Sequence, residues 1–209
     1  MLASLLLRLG ALGPLAFYAA IAVGGFMTPG YNHMTQQVSE LGQAGAPAAT
    51  LFNYGMMAAG GAIIVGGLGF FLGMRKLGVG VVMPLLTAVA IGLFGASFVI
   101  AGLHPMPSAL HGAYHLGYAG IAAPLLAFLS LGDRSEVSGA KTLAVVSFLA
   151  GGVLLALLMN VGGLNLVKAA DAGLWQRGLI LATTLWMVSA FLSIPAAVAA
   201  RERKRSSAY

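Results

Sequence analysis

The sequence predicts an all-α protein, a bundle of six transmembrane helices with both termini in the cytoplasm. Hydrophobic residues make up 59% of the 209-residue chain and charged residues only 8%, whereas about a quarter of the residues in a soluble domain are charged. Hydropathy separates six apolar runs, each near the roughly 20 residues that a helix needs to cross the hydrocarbon core. The basic residues fall mostly on one side of these runs.

The first three predicted helices cover residues 9–28, 49–74 and 78–103. The first run ends at Pro29 and the second begins after Pro47, because helices in lipid end at proline, charge or polar clusters. The first apolar stretch is longer than the apolar core of a signal peptide, so we expect an uncleaved first helix.

The last three predicted helices cover residues 111–132, 140–161 and 176–199. The fourth run ends before Asp133 and the sixth ends before Arg201, where charged residues begin. Six runs of this length leave no room for a soluble domain.

The distribution of Lys and Arg orients the predicted bundle. With the N-terminus inside, two basic residues, Lys168 and Arg177, lie outside, and nine lie in the cytoplasm: Arg8, Arg75, Lys76, Arg134, Lys141, Arg201, Arg203, Lys204 and Arg205. This is the asymmetry of the positive-inside rule. We therefore expect one transmembrane bundle, residues 1–200, and a basic cytoplasmic tail, residues 201–209, that contacts membrane lipids rather than nucleic acid.

All four histidines are predicted on the non-cytoplasmic side, together with Glu40. His111 and His115 are four residues apart, so on an α-helix they share one face and can offer two imidazoles to a divalent metal such as zinc. His33 and His104 are further candidate ligands. The alternative is a pair of polar side chains at the membrane interface that binds no metal.

Four other polar residues in the outer half are candidate site residues. Glu40 is a candidate general acid or base, and Ser39 a candidate nucleophile, although both residue types also cap helices. Asn53 lies at an outer helix end, and Tyr118 follows His115 by about one turn. Both are candidate ligand-binding residues.

Arg177 is a basic residue at the predicted outer start of the sixth helix. The positive-inside rule depletes arginine there, so a local partner is expected. We expect an ion pair with Glu40 or Asp171, or binding of a lipid phosphate.

The chain has no cysteine, which excludes disulfides, thiolate zinc sites and cysteine nucleophiles. No ionisable residue is predicted near a helix midpoint, and the first outer loop has no counterpart in the second half. Both facts disfavour a coupled ion transporter built from inverted repeats.

Several of these segments together resemble the domain-of-unknown-function family 998, a group of prokaryotic membrane proteins with six or seven helices. The matching pieces are Val38-Ser39-Glu40-Leu41-Gly42, Ala46-Pro47, Asn53, the histidine-bearing segment before the fourth helix, and Gly173 to Arg177. The resemblance implies a multi-pass protein of the prokaryotic inner membrane. It also implies that Ser39, Glu40, Asn53, His111 and Arg177 form one site.

The sequence leaves several functions open. The first is an outer pocket that binds a lipid or small ligand, with metal-assisted lipid hydrolysis or transfer as its enzymatic form. A second is an accessory or assembly subunit of a larger membrane complex. A third is b-type haem electron transfer, which would pair His33 with His111 or His115.

Overall fold

The part of the chain that the structure describes contains six α-helices and no strand, which confirms the all-α prediction. This computed structural model describes residues 1–207, except for the side chains of residues 112–114. The helices are α1 (Leu2–Met27), α2 (Ala49–Lys76), α3 (Val82–Leu103), α4 (Ala119–Leu131), α5 (Ser138–Leu158) and α6 (Ala172–Ser206). Six segments are long and apolar enough to cross a membrane.

Three short 3₁₀ helices occur in the connections. One covers Val38–Gly42, another covers Ala109–Tyr118 directly before α4, and the third covers Ser135–Val137 before α5. At the other end of the chain, α6 continues through the basic residues to Ser206, so this part of the expected tail is helical. The last two residues of that tail, 208–209, lie outside the described residues.

The helices pack in chain order as a ring, each against the next, and α6 closes the ring against α1. We call the end of the bundle that carries the termini the terminal end. The opposite end, with connections 28–48, 104–118 and 159–171, is the loop end. The terminal end carries nine basic and three acidic residues, whereas the loop end carries two of each. The nine basic residues predicted on one side of the membrane therefore lie at the same end of the bundle.

Close packing of α1, α2 and α3 depends on glycines at the helix crossings. A Cβ added to Gly10 would lie 2.3 Å from the Cα of Gly66, and one added to Gly60 would lie 2.4 Å from the carbonyl oxygen of Gly95. Backbones this close leave no space for a side chain, and such contacts hold helices together in lipid, where apolar burial gives no drive. The glycines therefore set the distances between the helices that surround the interior.

Candidate functional site

The first connection folds back over the loop end of the bundle. We call residues 31–43 the roof segment. Arg177 of α6 holds it: Nη1 donates to the carbonyl oxygens of Gln36 (2.9 Å) and Gly173 (2.8 Å), and Nη2 donates to the Tyr31 hydroxyl (2.5 Å). The Tyr31 hydroxyl in turn donates to the carbonyl of Gln37 at 2.9 Å. The Arg177 guanidinium thus holds the roof segment to the start of α6 at two residues, Tyr31 and Gln36.

Two further contacts join the roof segment to α6. The side-chain oxygen of Gln176 accepts a 2.8 Å hydrogen bond from the Val38 amide, and the Leu174 amide donates to Met34 O at 3.0 Å. A Cβ on Gly173 would lie 2.3 Å from the Gln36 carbonyl oxygen, so the roof segment reaches α6 only because this residue is glycine.

The other side of the roof segment is attached to α2. The Asn53 side-chain amide donates to the carbonyl of Gly42 at 2.8 Å, and Gly42 has no room for a Cβ, which would lie 2.2 Å from Asn53 Oδ1. Just beyond, Ala44 N donates to Met106 O at 3.0 Å, which connects the roof to the segment before α4. The last residue of the Ser-Glu-Leu-Gly run and the downstream asparagine are therefore in direct contact, and this contact attaches the roof segment to α2.

Glu40 caps the 3₁₀ helix of the roof segment. Its Oε1 accepts from the Gln37 amide at 2.7 Å, the Gln37 side chain accepts from the Glu40 amide, and Glu40 Oε2 accepts from Gln36 Nε2 at 2.8 Å. This reciprocal arrangement is a capping box. The carboxylate is committed to the loop's own backbone and side chains.

The predicted ion pair of Arg177 with Glu40 or Asp171 is wrong. The ion pairs among the described residues are Lys76–Glu202 and Lys141–Asp133, both at the terminal end. Gln36 stands between the two charged groups instead, with its side chain bound to Glu40 and its carbonyl oxygen bound to Arg177. Nη1 and Nη2 of Arg177 donate to two backbone carbonyls and a phenol, which are uncharged partners, and the buried Nε has no hydrogen-bond partner.

Two titratable groups next to Arg177 have shifted pKa values. Burial raises the pKa of the Tyr31 phenol, although the positive charge of Arg177 opposes the shift. Burial lowers the pKa of the His33 imidazole, and the charge of Arg177 lowers it further. Both side chains are therefore neutral near pH 7, and the phenol keeps the proton that it donates to Gln37.

Beneath the roof segment lies a cavity of about 370 Å³. Its walls come from α1, α2, α3, α6 and the start of α4. The polar lining residues are Gln37, Ser39, Asn53, Ser97, His111, Tyr118, Gln176 and Thr183, and the largest apolar ones are Phe17, Phe52, Phe94, Phe98, Met56 and Met106. The roof segment and the helix ends at the loop end supply most of the polar groups, whereas the deeper wall is largely aromatic.

The cavity brings together Ser39, Asn53, His111 and Tyr118, which the sequence singled out separately. Glu40 and Arg177 are not among its lining residues. These two belong to the joints that hold the roof, so the expected site divides into a cavity and a supporting layer of hydrogen bonds.

His111 and His115 do not share a face. The segment Ala109–Tyr118 is a 3₁₀ helix, in which residues three apart are aligned and residues four apart point about 120° from each other. His111 lines the cavity, whereas His115 is exposed and its ring meets that of Tyr118, three residues on, at a centroid distance of 5.5 Å. The expectation that the two rings share one face is therefore wrong, and of the two only His111 is among the lining residues of the cavity.

The other two histidines lie elsewhere. His33 packs against α1, where a Cβ on Gly25 would lie 2.5 Å from its Nε2, and its ring stands edge-on to Tyr31. His104 offers its backbone carbonyl to His111 Nδ1 at 2.9 Å. Within the described part of the chain, no three His, Asp or Glu residues are grouped to hold a metal ion.

Sequence reasoning missed Gln176, Thr183 and Ser97 as cavity residues. Gln176 and Thr183 are two helical turns apart, so they project from the same face of α6. A polar stripe at this spacing in an otherwise apolar helix was the available signal. Ser97, alone among apolar neighbours in α3, gave a weaker one.

Comparison with known proteins gives one match. The family model described as "Protein of unknown function (DUF998)" matches residues 11–193. No curated protein matches the chain, and no solved structure does.

Proposed function

Because this chain belongs to the DUF998 family of unknown function, we propose its function from the cavity: it binds a membrane lipid or another small amphiphilic ligand at the loop end of the bundle. The chain is a multi-pass helical membrane protein, and we place it in the prokaryotic inner membrane with the loop end outside the cytoplasm.

The observation that carries the proposal is the polarity gradient of the cavity. Polar groups of Ser39, Asn53 and Gln176 lie at the roof, and the rings of Phe17 and Phe98 line the deeper part. The hydroxyls of Ser97 and Thr183 also lie in the deeper part, but each donates to a carbonyl of its own helix. An amphiphile has the same gradient, since its head needs hydrogen bonds and its chain needs apolar contacts. A volume of about 370 Å³ lies within the range of ligand pockets, which is roughly 300–1,000 Å³.

Binding rather than chemistry is the function that the contacts favour. The carboxylate of Glu40 caps the roof helix, and the guanidinium of Arg177 is bound to two carbonyls and a phenol. A general base and a phosphate clamp would need these groups to face the ligand. Their commitment to the roof favours a preorganised receptor site.

Photolabelling tests the proposal. The protein in lipid nanodiscs is irradiated with a diazirine-bearing monoacylglycerol, and the labelled peptides are identified by mass spectrometry. We expect label on cavity peptides of α2, α3 and α6, and competition by unlabelled monoacylglycerol. Label spread evenly over lipid-facing helix surfaces, without competition, would remove the proposal.

A filling variant and a matched control make the test specific. Ala101 is a small cavity-lining residue of α3, so Ala101→Phe fills the space and should reduce competed labelling by about tenfold or more. Leu93 lies on the same helix with an exposed side chain, so Leu93→Phe should leave labelling unchanged. Ile121→Phe, at another wall, replaces Ala101→Phe if that variant does not fold. Equal labelling of filled and control variants would contradict a ligand in this cavity.

A further inference from the structure

The polar groups that line the cavity are all uncharged types or an imidazole. They are the amides of Gln37, Asn53 and Gln176, four hydroxyls and the ring of His111. No Asp, Glu, Lys or Arg lies among the described lining residues, and the side chains at 112–114 are Gly, Ala and Tyr, which carry no formal charge near pH 7. Among the described lining residues, the cavity thus offers hydrogen bonds and no fixed charge.

Two charged residues that are next to lining residues in the sequence, Glu40 and Arg177, hold the roof segment and do not line the cavity. Arg177 makes its contacts with Gln36, Gly173 and Tyr31, and Glu40 makes its contacts with Gln36 and Gln37. Moving either side chain into the cavity would break the hydrogen bonds that hold the roof segment over the cavity. An anionic head inside would therefore be a partly buried charge with no fixed counter-charge, which is unfavourable where the dielectric constant is low.

Two residues that line the cavity near the roof segment, Gln176 and His111, can together donate and accept hydrogen bonds. Gln176 Oε1 is occupied by the Val38 amide, so its side-chain NH₂ remains as a donor. His111 Nδ1 lies 2.9 Å from a carbonyl oxygen, which only accepts, so Nδ1 carries the proton and Nε2 is an acceptor in the neutral ring. A hydroxyl group, which donates one hydrogen bond and accepts others, matches this pair of functions.

The size and the floor of the cavity limit the apolar part of the ligand. The rings of Phe17, Phe94 and Phe98 pack together at the deeper wall, with centroid distances of 4.7 Å for Phe17–Phe98 and 4.9 Å for Phe94–Phe98. The volume of about 370 Å³ is at the low end of the range for ligand pockets, which suits one chain better than two.

We infer that the ligand is a neutral single-chain amphiphile with a hydroxyl-bearing head, such as a long-chain alcohol or a monoacylglycerol, rather than a fatty acid anion or a phospholipid. This inference rests on the proposed function and names the ligand class of the same cavity. The head lies under the roof between Gln176 and His111, and the chain runs toward Phe98.

Competition between two ligands that differ only in the head tests the inference. Lauryl alcohol and lauryl phosphate are titrated against the photoreactive monoacylglycerol in nanodiscs, with cavity labelling as the readout. We expect the alcohol to compete at least about tenfold more effectively, because the described lining holds no fixed positive charge for the phosphate. Equal competition, or better competition by the phosphate, overturns the inference while the proposed function stands. Absence of competed cavity labelling removes both.

A charge introduced into the cavity lining next to the roof segment gives a second, independent measurement. Met106 lines the cavity, so Met106→Lys supplies an ammonium group there and should shift the preference at least about tenfold toward lauryl phosphate. Met34 lies in the roof segment with 47% exposure and outside the cavity lining, so Met34→Lys should keep the wild-type preference. An unchanged preference in folded Met106→Lys would mean that the head does not lie at the roof, which also overturns the inference.

Discussion

Arg177 of α6 donates a hydrogen bond of 2.5 Å to the hydroxyl of Tyr31, a residue 146 positions earlier in the chain. The same guanidinium binds the carbonyl of Gln36, so a single side chain holds the roof segment to the bundle at both Tyr31 and Gln36. The stability of the roof over the cavity therefore depends on this residue more than on any ion pair.

Replacement of Arg177 should loosen the roof. Arg177→Ala removes three hydrogen bonds from a charged donor and should cost about 2–3 kcal/mol or more of stability. Arg177→Lys should be intermediate, since an ammonium group lacks the planar fork of donors. Hydrogen exchange measured by mass spectrometry should rise first in residues 34–42. Lys168→Ala, at the same end but exposed, is the control. Unchanged exchange in Arg177→Ala would show that the roof is held by other contacts.

The glycines of α2 should divide into two classes. A Cβ at Gly66 would meet Gly10 Cα at 2.8 Å and the Phe191 ring at 2.5 Å, so Gly66→Ala should destabilise the bundle by about 1–3 kcal/mol. Gly61 has open space around it, so Gly61→Ala should be neutral or slightly stabilising, because alanine is the better helix former. Thermal unfolding in detergent measures both. Equal melting temperatures for the two variants would contradict the close crossing of α1 and α2.

The orientation of the bundle can be tested by cysteine accessibility, because the chain has no thiol of its own. The positive-inside rule predicts that a cysteine at Gln43, at the loop end, reacts with a membrane-impermeant maleimide in intact cells. A cysteine at Ser207, at the terminal end, should react only after permeabilisation. The reverse pattern would invert the protein in the membrane and leave the helix packing unchanged.

His33 should make stability fall in mild acid. Its pKa is lowered in the folded protein, so below about pH 6.5 the unfolded chain binds more protons, and folding stability is lost as the pH decreases toward the folded-state pKa. His33→Gln should reduce the drop in melting temperature between pH 8 and pH 5.5, by no more than about 2 °C because the ring is largely exposed. An identical pH dependence in both proteins would assign the acid sensitivity to other groups.

The sequence could predict which residues meet, but not always how they meet. Hydropathy puts Ser39, Asn53 and His111 at the same end of the bundle, the family resemblance implied that they form one site, and all three line the cavity. The two errors have local causes. A 3₁₀ helix replaced the expected α-helix around His111 and His115 and left His115 exposed and outside the cavity lining. Backbone carbonyls replaced the acidic partners expected for Arg177.

Hydropathy, helix length and the cost of polar groups in lipid are enough to predict the membrane class, the six helices and the clustering of polar residues at one end. The fold of the first connection back over the bundle, and the cavity beneath it, became visible only in the folded protein. That arrangement rests on contacts between residues far apart in the chain, such as Asn53 with Gly42 and Arg177 with Gln36. Backbone carbonyls accept most of these hydrogen bonds, and every residue carries one, so the pattern of side chains does not reveal which carbonyl is used.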